Sequence, residues 1–139
     1  MANGHLSDYF SDILIKGWLT RDVSLLPTIY YVGLTLDLPT DNNGTGLVSP
    51  EASEFARKPI PAEDTFWVSM GVGSRAMETA FDTTFDISVT DWGEINGYTL
   101  YDSLIDGNLL GYGITNPFTI LAGMSARLPA GAIVIAIPD

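Results

Sequence analysis

The chain carries one histidine, His5, so any Ser-His-Asp or Cys-His arrangement would have to be built around it. His5 precedes the first apolar segment, in a stretch expected to be mobile, and reads as a solvent or contact residue. Acids are the commoner reactive groups. Asp82 and Asp86 fall on one face of an alternating segment, and two carboxylates ~5 to ~9 Å apart can cleave a glycosidic bond. The same alternation sends every second residue to solvent, so the pair reads as the outer face of a strand. Asp41-Asn42-Asn43-Gly44-Thr45-Gly46 opens like a calcium loop, but Ala52 stands where the closing Glu is needed. An Asx-rich turn accounts for it. Gly71-Val72-Gly73-Ser74-Arg75-Ala76 begins like a phosphate-binding turn, then lacks the third glycine and the Lys-Ser/Thr pair. Trp18, Trp67, Trp92 and six tyrosines could line a sugar-binding surface, yet cores and protein interfaces draw on the same residues. None of these groups makes a convincing catalytic, metal or cofactor site, and no enzyme activity or cofactor is expected.

Charge and composition narrow the partners. Seventeen acids against six bases give a formal net charge of -11, which repels nucleic acid, because DNA binding needs a basic footprint. Only 17% of residues are charged while 46% are hydrophobic, the balance of a folded domain with an uncharged surface suited to protein contact. The absence of cysteine excludes disulfides and thiolate sites. No apolar run nears the ~18 residues of a membrane span, and the start lacks the pattern of a signal peptide. The chain is therefore expected to be made and assembled in a cytoplasm.

The 139 residues fit one domain. Residues 6–16 read as a helix, with Leu6, Phe10, Ile13 and Leu14 on one face, Ser7 as N-cap and Gly17 as stop. Strands are expected from residue 29: around 29–36, 55–60 (Pro59 placing it at an edge), 66–70, 81–89, 93–102, 109–114, 118–121 and 132–137. In 81–89, Phe81, Thr83, Phe85, Ile87 and Val89 should face the core. Asp106-Gly107 is a hairpin turn. Short strands at close spacing predict an all-β, single-domain β-sandwich, a jelly roll in its specific form, with one short N-terminal α-helix. Residues 1–20 would be the N-terminal segment and helix, and 28–139 the sandwich.

Three segments resemble a known family taken together: Phe55-Ala56-Arg57-Lys58-Pro59-Ile60, the run from Asp91-Trp92-Gly93 to Tyr101-Asp102, and Gly107-Asn108-Leu109-Leu110-Gly111-Tyr112-Gly113. Tyr31-Val32-Gly33-Leu34 and Leu128-Pro129-Ala130-Gly131 extend the likeness, which runs from about residue 6 to the end. The chain is similar to small virion proteins of tailed bacteriophages, labelled tail fibre, minor tail or capsid decoration (cement) proteins. The resemblance implies that Asn96-Gly97 stays inside a strand as a bulge, although the dipeptide alone would favour a turn. It also implies a structural role, with Trp92, Tyr98, Leu100, Leu110 and Tyr112 as architecture. The favoured expectation is a capsid decoration protein on the outer capsid surface of the virion. Its partners would be the major capsid protein and copies of itself, as a homotrimer or, next, a dimer. The alternative is a tail fibre or minor tail protein that recognises a host surface. Tyr9, Trp18 and Arg21, on the N-terminal helix and just after it, are the expected interface residues.

Overall fold

The computed structural model describes residues 4–37 and 47–136. The Asx-rich turn at 41–46, and Ile137 of the last expected strand, lie outside these residues. Ten strands and one α-helix follow in order: β1 (Gly4–Leu6), α1 (Asp8–Thr20), β2 (Ile29–Thr35), β3 (Lys58–Pro61), β4 (Trp67–Ser69), β5 (Ala76–Thr79), β6 (Thr83–Ile87), β7 (Gly93–Tyr101), β8 (Leu109–Ile120), β9 (Ser125–Leu128) and β10 (Val134–Ala136). A single 3-10 turn, Val23–Leu25, lies between α1 and β2. The chain is thus all-β with one short helix, as the alternation and the lone helical period imply. The strands divide eight and two: β3-β2-β7-β8-β1-β10-β5-β4 in one sheet, β6-β9 in the other. A jelly roll would share its strands more evenly. Two features shift the balance. The stretches expected as separate strands at 109–114 and 118–121 are one continuous β8, and the segment before the helix adds β1.

The large sheet curls until its edges approach. Its outermost strands, β3 and β4, are neighbours in the chain. Across the gap the Trp67 indole donates to the Pro61 carbonyl at 3.3 Å, and the Tyr30 and Trp67 rings meet edge to face at 5.6 Å. β3 is an edge strand, as Pro59 requires, because proline offers no N–H to a further neighbour. Inside the curl lie Val32, Leu34, Ile95, Tyr98, Leu100, Leu110, Phe85, Leu128 and Ile133, all buried. Residues 97–100 of β7 are buried without alternation, the mark of a strand covered on both faces.

Glycine makes the centre possible. Gly113 is paired with Tyr98, and a Cβ on it would sit 2.2 Å from the Tyr98 ring. The ring therefore lies flat across β8, and its hydroxyl donates to the Val134 carbonyl at 2.6 Å and accepts from the Val134 N–H at 2.9 Å. A buried side chain thus satisfies a strand's peptide groups as a neighbouring strand would. Burial pushes the Tyr98 hydroxyl from its ordinary 10.0 up to about 12.

Four local expectations meet the structure in different ways. Ser7 caps α1, its oxygen accepting from the Phe10 N–H at 3.1 Å. Gly17 does not end the helix, which runs to Thr20 and closes on Arg21 in the left-handed region at φ 58°. The glycine instead admits the returning chain, since a Cβ there would meet the Asp22 carbonyl oxygen at 3.1 Å. Asn96-Gly97 is inside β7, at a register shift between Ile95 and Gly97 where residues 115–117 of β8 oppose Asn96 alone. Of the five residues expected to face the core along 81–89, Thr83 and Phe85 are buried, but Phe81, Ile87 and Val89 are exposed, while Ser88 is buried. A bulge between Thr84 and Ile87 adds one residue against β9, and a one-residue slip exchanges the two faces.

Candidate functional site

The polar groups that could have carried chemistry are spent on structure. Asp82 accepts from Arg127 Nη1 at 3.1 Å and from the Ala130 N–H at 2.8 Å, while Asp86 accepts from Lys58 Nζ at 2.8 Å. Each member of the expected carboxylate pair therefore has its own cation. Asp91 takes the Ala122 N–H, and Asp102 takes the N–H and side-chain amide of Asn108 across the Asp106-Gly107 loop. Both loop residues have positive φ, as such a turn demands. His5 is not in a mobile segment. It sits in β1, pairing with Tyr112 on one side and Ala136 on the other, with its ring 5.5 Å from that of Tyr112. Among the described residues no group of three His, Cys, Asp or Glu could hold a metal ion.

Glu54 is the acid that sequence reasoning missed. Its Oε1 accepts from the Val89 N–H (2.7 Å), the Thr90 N–H (3.1 Å), the Thr90 hydroxyl (3.3 Å) and the Trp92 indole (3.0 Å). These donors, led by the indole, hold its carboxyl down at about 2. Trp92 is buried, with Phe55 edge-on at 5.3 Å. The expected architectural role of the Asp-Trp-Gly segment is what the geometry shows. Glu54 could not be found from spacing, because it lies 35 residues or more before its donors.

Two surfaces stand out among the described residues. The first is the outer face of α1. Ile15, Trp18 and Leu19 share it at helical spacing, and Val23 continues it on the 3-10 turn. All four are exposed, Trp18 to 79%. Lys16 and Arg21 are exposed beside them. Of the expected interface residues, Trp18 and Arg21 lie together at this end, while Tyr9, also exposed, is nine residues back and about half a turn around the helix. The second is an apolar groove of about 620 Å³ beside α1, walled by Phe10, Leu14, Tyr30, Trp67, Met77 and Ile135. Glu63, Asp64 and Arg75 stand among its lining residues. Burial there raises the Tyr30 hydroxyl above its ordinary value.

The chain belongs to the podophage GP4 fiber I protein gp80 family, whose model matches residues 5–136. It is accordingly a structural virion protein of a tailed bacteriophage. No curated protein matches the chain.

Proposed function

We propose that the chain is a fibre subunit of the virion, acting by adhesion to copies of itself and to a neighbouring virion protein, and catalysing no reaction. The carrying observation is the outer face of α1: a tryptophan and three aliphatic side chains exposed together. Such a patch has a free-energy incentive to be covered, and an exposed indole is the residue type that most often dominates an interface. The family's fibre name favours a fibre over the outer capsid surface. The net charge of -11 speaks against the genome as partner, and no helix of the described residues is long and apolar enough to cross a membrane.

Copy number in purified virions tests the location. Quantitative mass spectrometry against the major capsid protein should find a few to some tens of copies per particle, with antibody label at the fibres. Hundreds of copies, with label spread over the head, would replace the fibre by capsid decoration, where many modest contacts add up through multivalency.

A further inference from the structure

We propose that β4, β5 and β10 form one lid, hinged at one end, over the mouth of the curled sheet, and that the groove beside α1 is that mouth standing partly open. The three strands hold together well. β5 pairs with β4 through three residues and with β10 through three more. The Met70 N–H also donates to the Ala76 carbonyl, and the Thr79 N–H to the Ile133 carbonyl, each at 3.1 Å. The groove follows the line where this unit meets the rest of the molecule. Ser69 and Ala76 wall it from the lid, Phe10 and Leu14 from the helix, and the buried Leu6 and Leu100 lie between them.

Chain connectivity sets the hinge. Trp67 is paired with Thr79, and Val134 with Glu78, so the start of β4, the end of β5 and the start of β10 share one end of the unit. The segments 62–66, 80–82 and 129–133, which join these strands to β3, β6 and β9, therefore all leave from that end. The firm attachments gather there too. The Tyr98 hydroxyl holds both the carbonyl and the N–H of Val134, and the Trp67 indole bonds the Pro61 carbonyl. Ile133 and Val134 are buried at the same end.

The opposite end is held lightly. Among the described residues, β10 meets β1 there in the single pair His5–Ala136. Ile135, midway along, is partly buried against the core. Beyond it the lid offers only small or polar side chains to the groove: Ser69, Gly71, Ser74, Ala76 and Ala136. Few buried apolar contacts and a short ladder are what mark a unit that opens below the cost of global unfolding. Swinging this end outward breaks the His5–Ala136 pairing, leaves the ladders inside the lid intact and bares Leu6 and Leu100 to solvent. The inference concerns the isolated chain and does not rest on the adhesive reading of the preceding section.

The chain has no cysteine, so a single introduced thiol in the full chain reports the opening by its rate of alkylation. Ala76→Cys places a thiol under the free end of the lid, and Ala126→Cys places one in β9, both at buried positions. Ala76→Cys should react at least about 10-fold faster than Ala126→Cys, at a rate that urea below the unfolding transition barely changes, because a local opening exposes little surface. Ala126→Cys should follow global unfolding and speed up steeply with urea. Leu100→Cys, across the gap, should share the fast rate, and it supplies the readout if melting curves show that Ala76→Cys does not fold. Hydrogen exchange on the wild-type chain separates swinging from unravelling: the Met70 and Thr79 N–H groups, bonded inside the lid, should be better protected than the thiol of Ala76→Cys. Equal alkylation rates at positions 76 and 126 would overturn the proposal, since nothing would then open short of global unfolding. So would Met70 and Thr79 amides no better protected than that thiol, the mark of strands that fray one by one.

Discussion

Replacing Tyr98 by phenylalanine removes one oxygen and should cost much of the domain's stability. The ring and its fit over Gly113 are kept. Lost are the bond donated to the Val134 carbonyl and the bond accepted from its N–H. Tyr98 is fully buried, so water cannot simply take the place of the hydroxyl. Two peptide groups are left unpaired, each at about 1–3 kcal/mol, for a total of about 2–4 kcal/mol after partial relaxation. An unfolding entropy of ~2.1 cal/mol/K per residue over 139 residues makes each kcal/mol worth about 3.4 °C. Calorimetry at neutral pH should therefore place the variant about 7–14 °C below wild type. Alkaline pH gives a second signature. In the folded protein the Tyr98 hydroxyl keeps its proton to about 12, whereas in the unfolded chain it loses it at 10.0. Above the unfolded value the unfolded state binds fewer protons, so stability falls as pH rises through the window between the two. The full effect is about 3 kcal/mol. Tyr30, shifted in the same direction, adds to the wild-type loss and remains in the variant. Tyr98→Phe should thus show a shallower alkaline decline. A variant that melts within about 3 °C of wild type, with an unchanged alkaline limb, would refute the claim that this hydroxyl replaces a strand.

Glu54→Gln should flatten the acid limb. The wild-type carboxyl is held at about 2, so its contribution is complete above the ordinary 4.5 and is lost as pH falls toward 2. Melting temperatures between those limits should drop less for the variant, and parallel curves would contradict the hub at Trp92. Gly113→Ala should cost about 1–3 kcal/mol by overpacking, because its Cβ would fall 2.2 Å from the Tyr98 ring. Urea unfolding reads that loss, and an unchanged midpoint would mean that β8 can shift past the ring.

Local chemistry was legible where a residue type has one physical use. Ser7 as a cap, Pro59 at an edge and Asp106-Gly107 with positive φ each follow from backbone constraints carried by the residue itself. The interior positions Trp92, Tyr98, Leu100, Leu110 and Tyr112, which the family resemblance implied as architecture, are all buried. What could not be read is set by register. The bulge in β6 leaves no mark in an alternation that looks unbroken, so Ile87 and Val89 face solvent against expectation. β1 is three residues long, too short to show any period, and gains its meaning only from the gap it fills. The groove escaped for a related cause. Its walls come from elements spread from residue 6 to residue 136, and no spacing rule joins them. Trp18 lies four residues after Leu14 and eight after Phe10, on the apolar period itself, so its exposure does not follow from spacing.

The helix that carries the exposed Trp18 is fastened to the middle of the sheet. β1 lies antiparallel to β8 and parallel to β10. The chain passes from it straight into α1 through Ser7, whose N–H donates to the Leu110 carbonyl at 2.8 Å and whose hydroxyl donates to the Leu109 carbonyl at 2.5 Å. Phe10 then packs into the core, and at the far end the Asp22 N–H donates to the Gly17 carbonyl at 2.9 Å. A pull on Trp18 is therefore delivered to β8 and β10, interior strands whose separation would expose two new edges at once. The outermost strands, β3 and β4, bear none of this load directly. A helix docked on an edge could peel away by breaking one short ladder. Removing this one requires opening the sheet at its centre, which would suit the adhesive role proposed above.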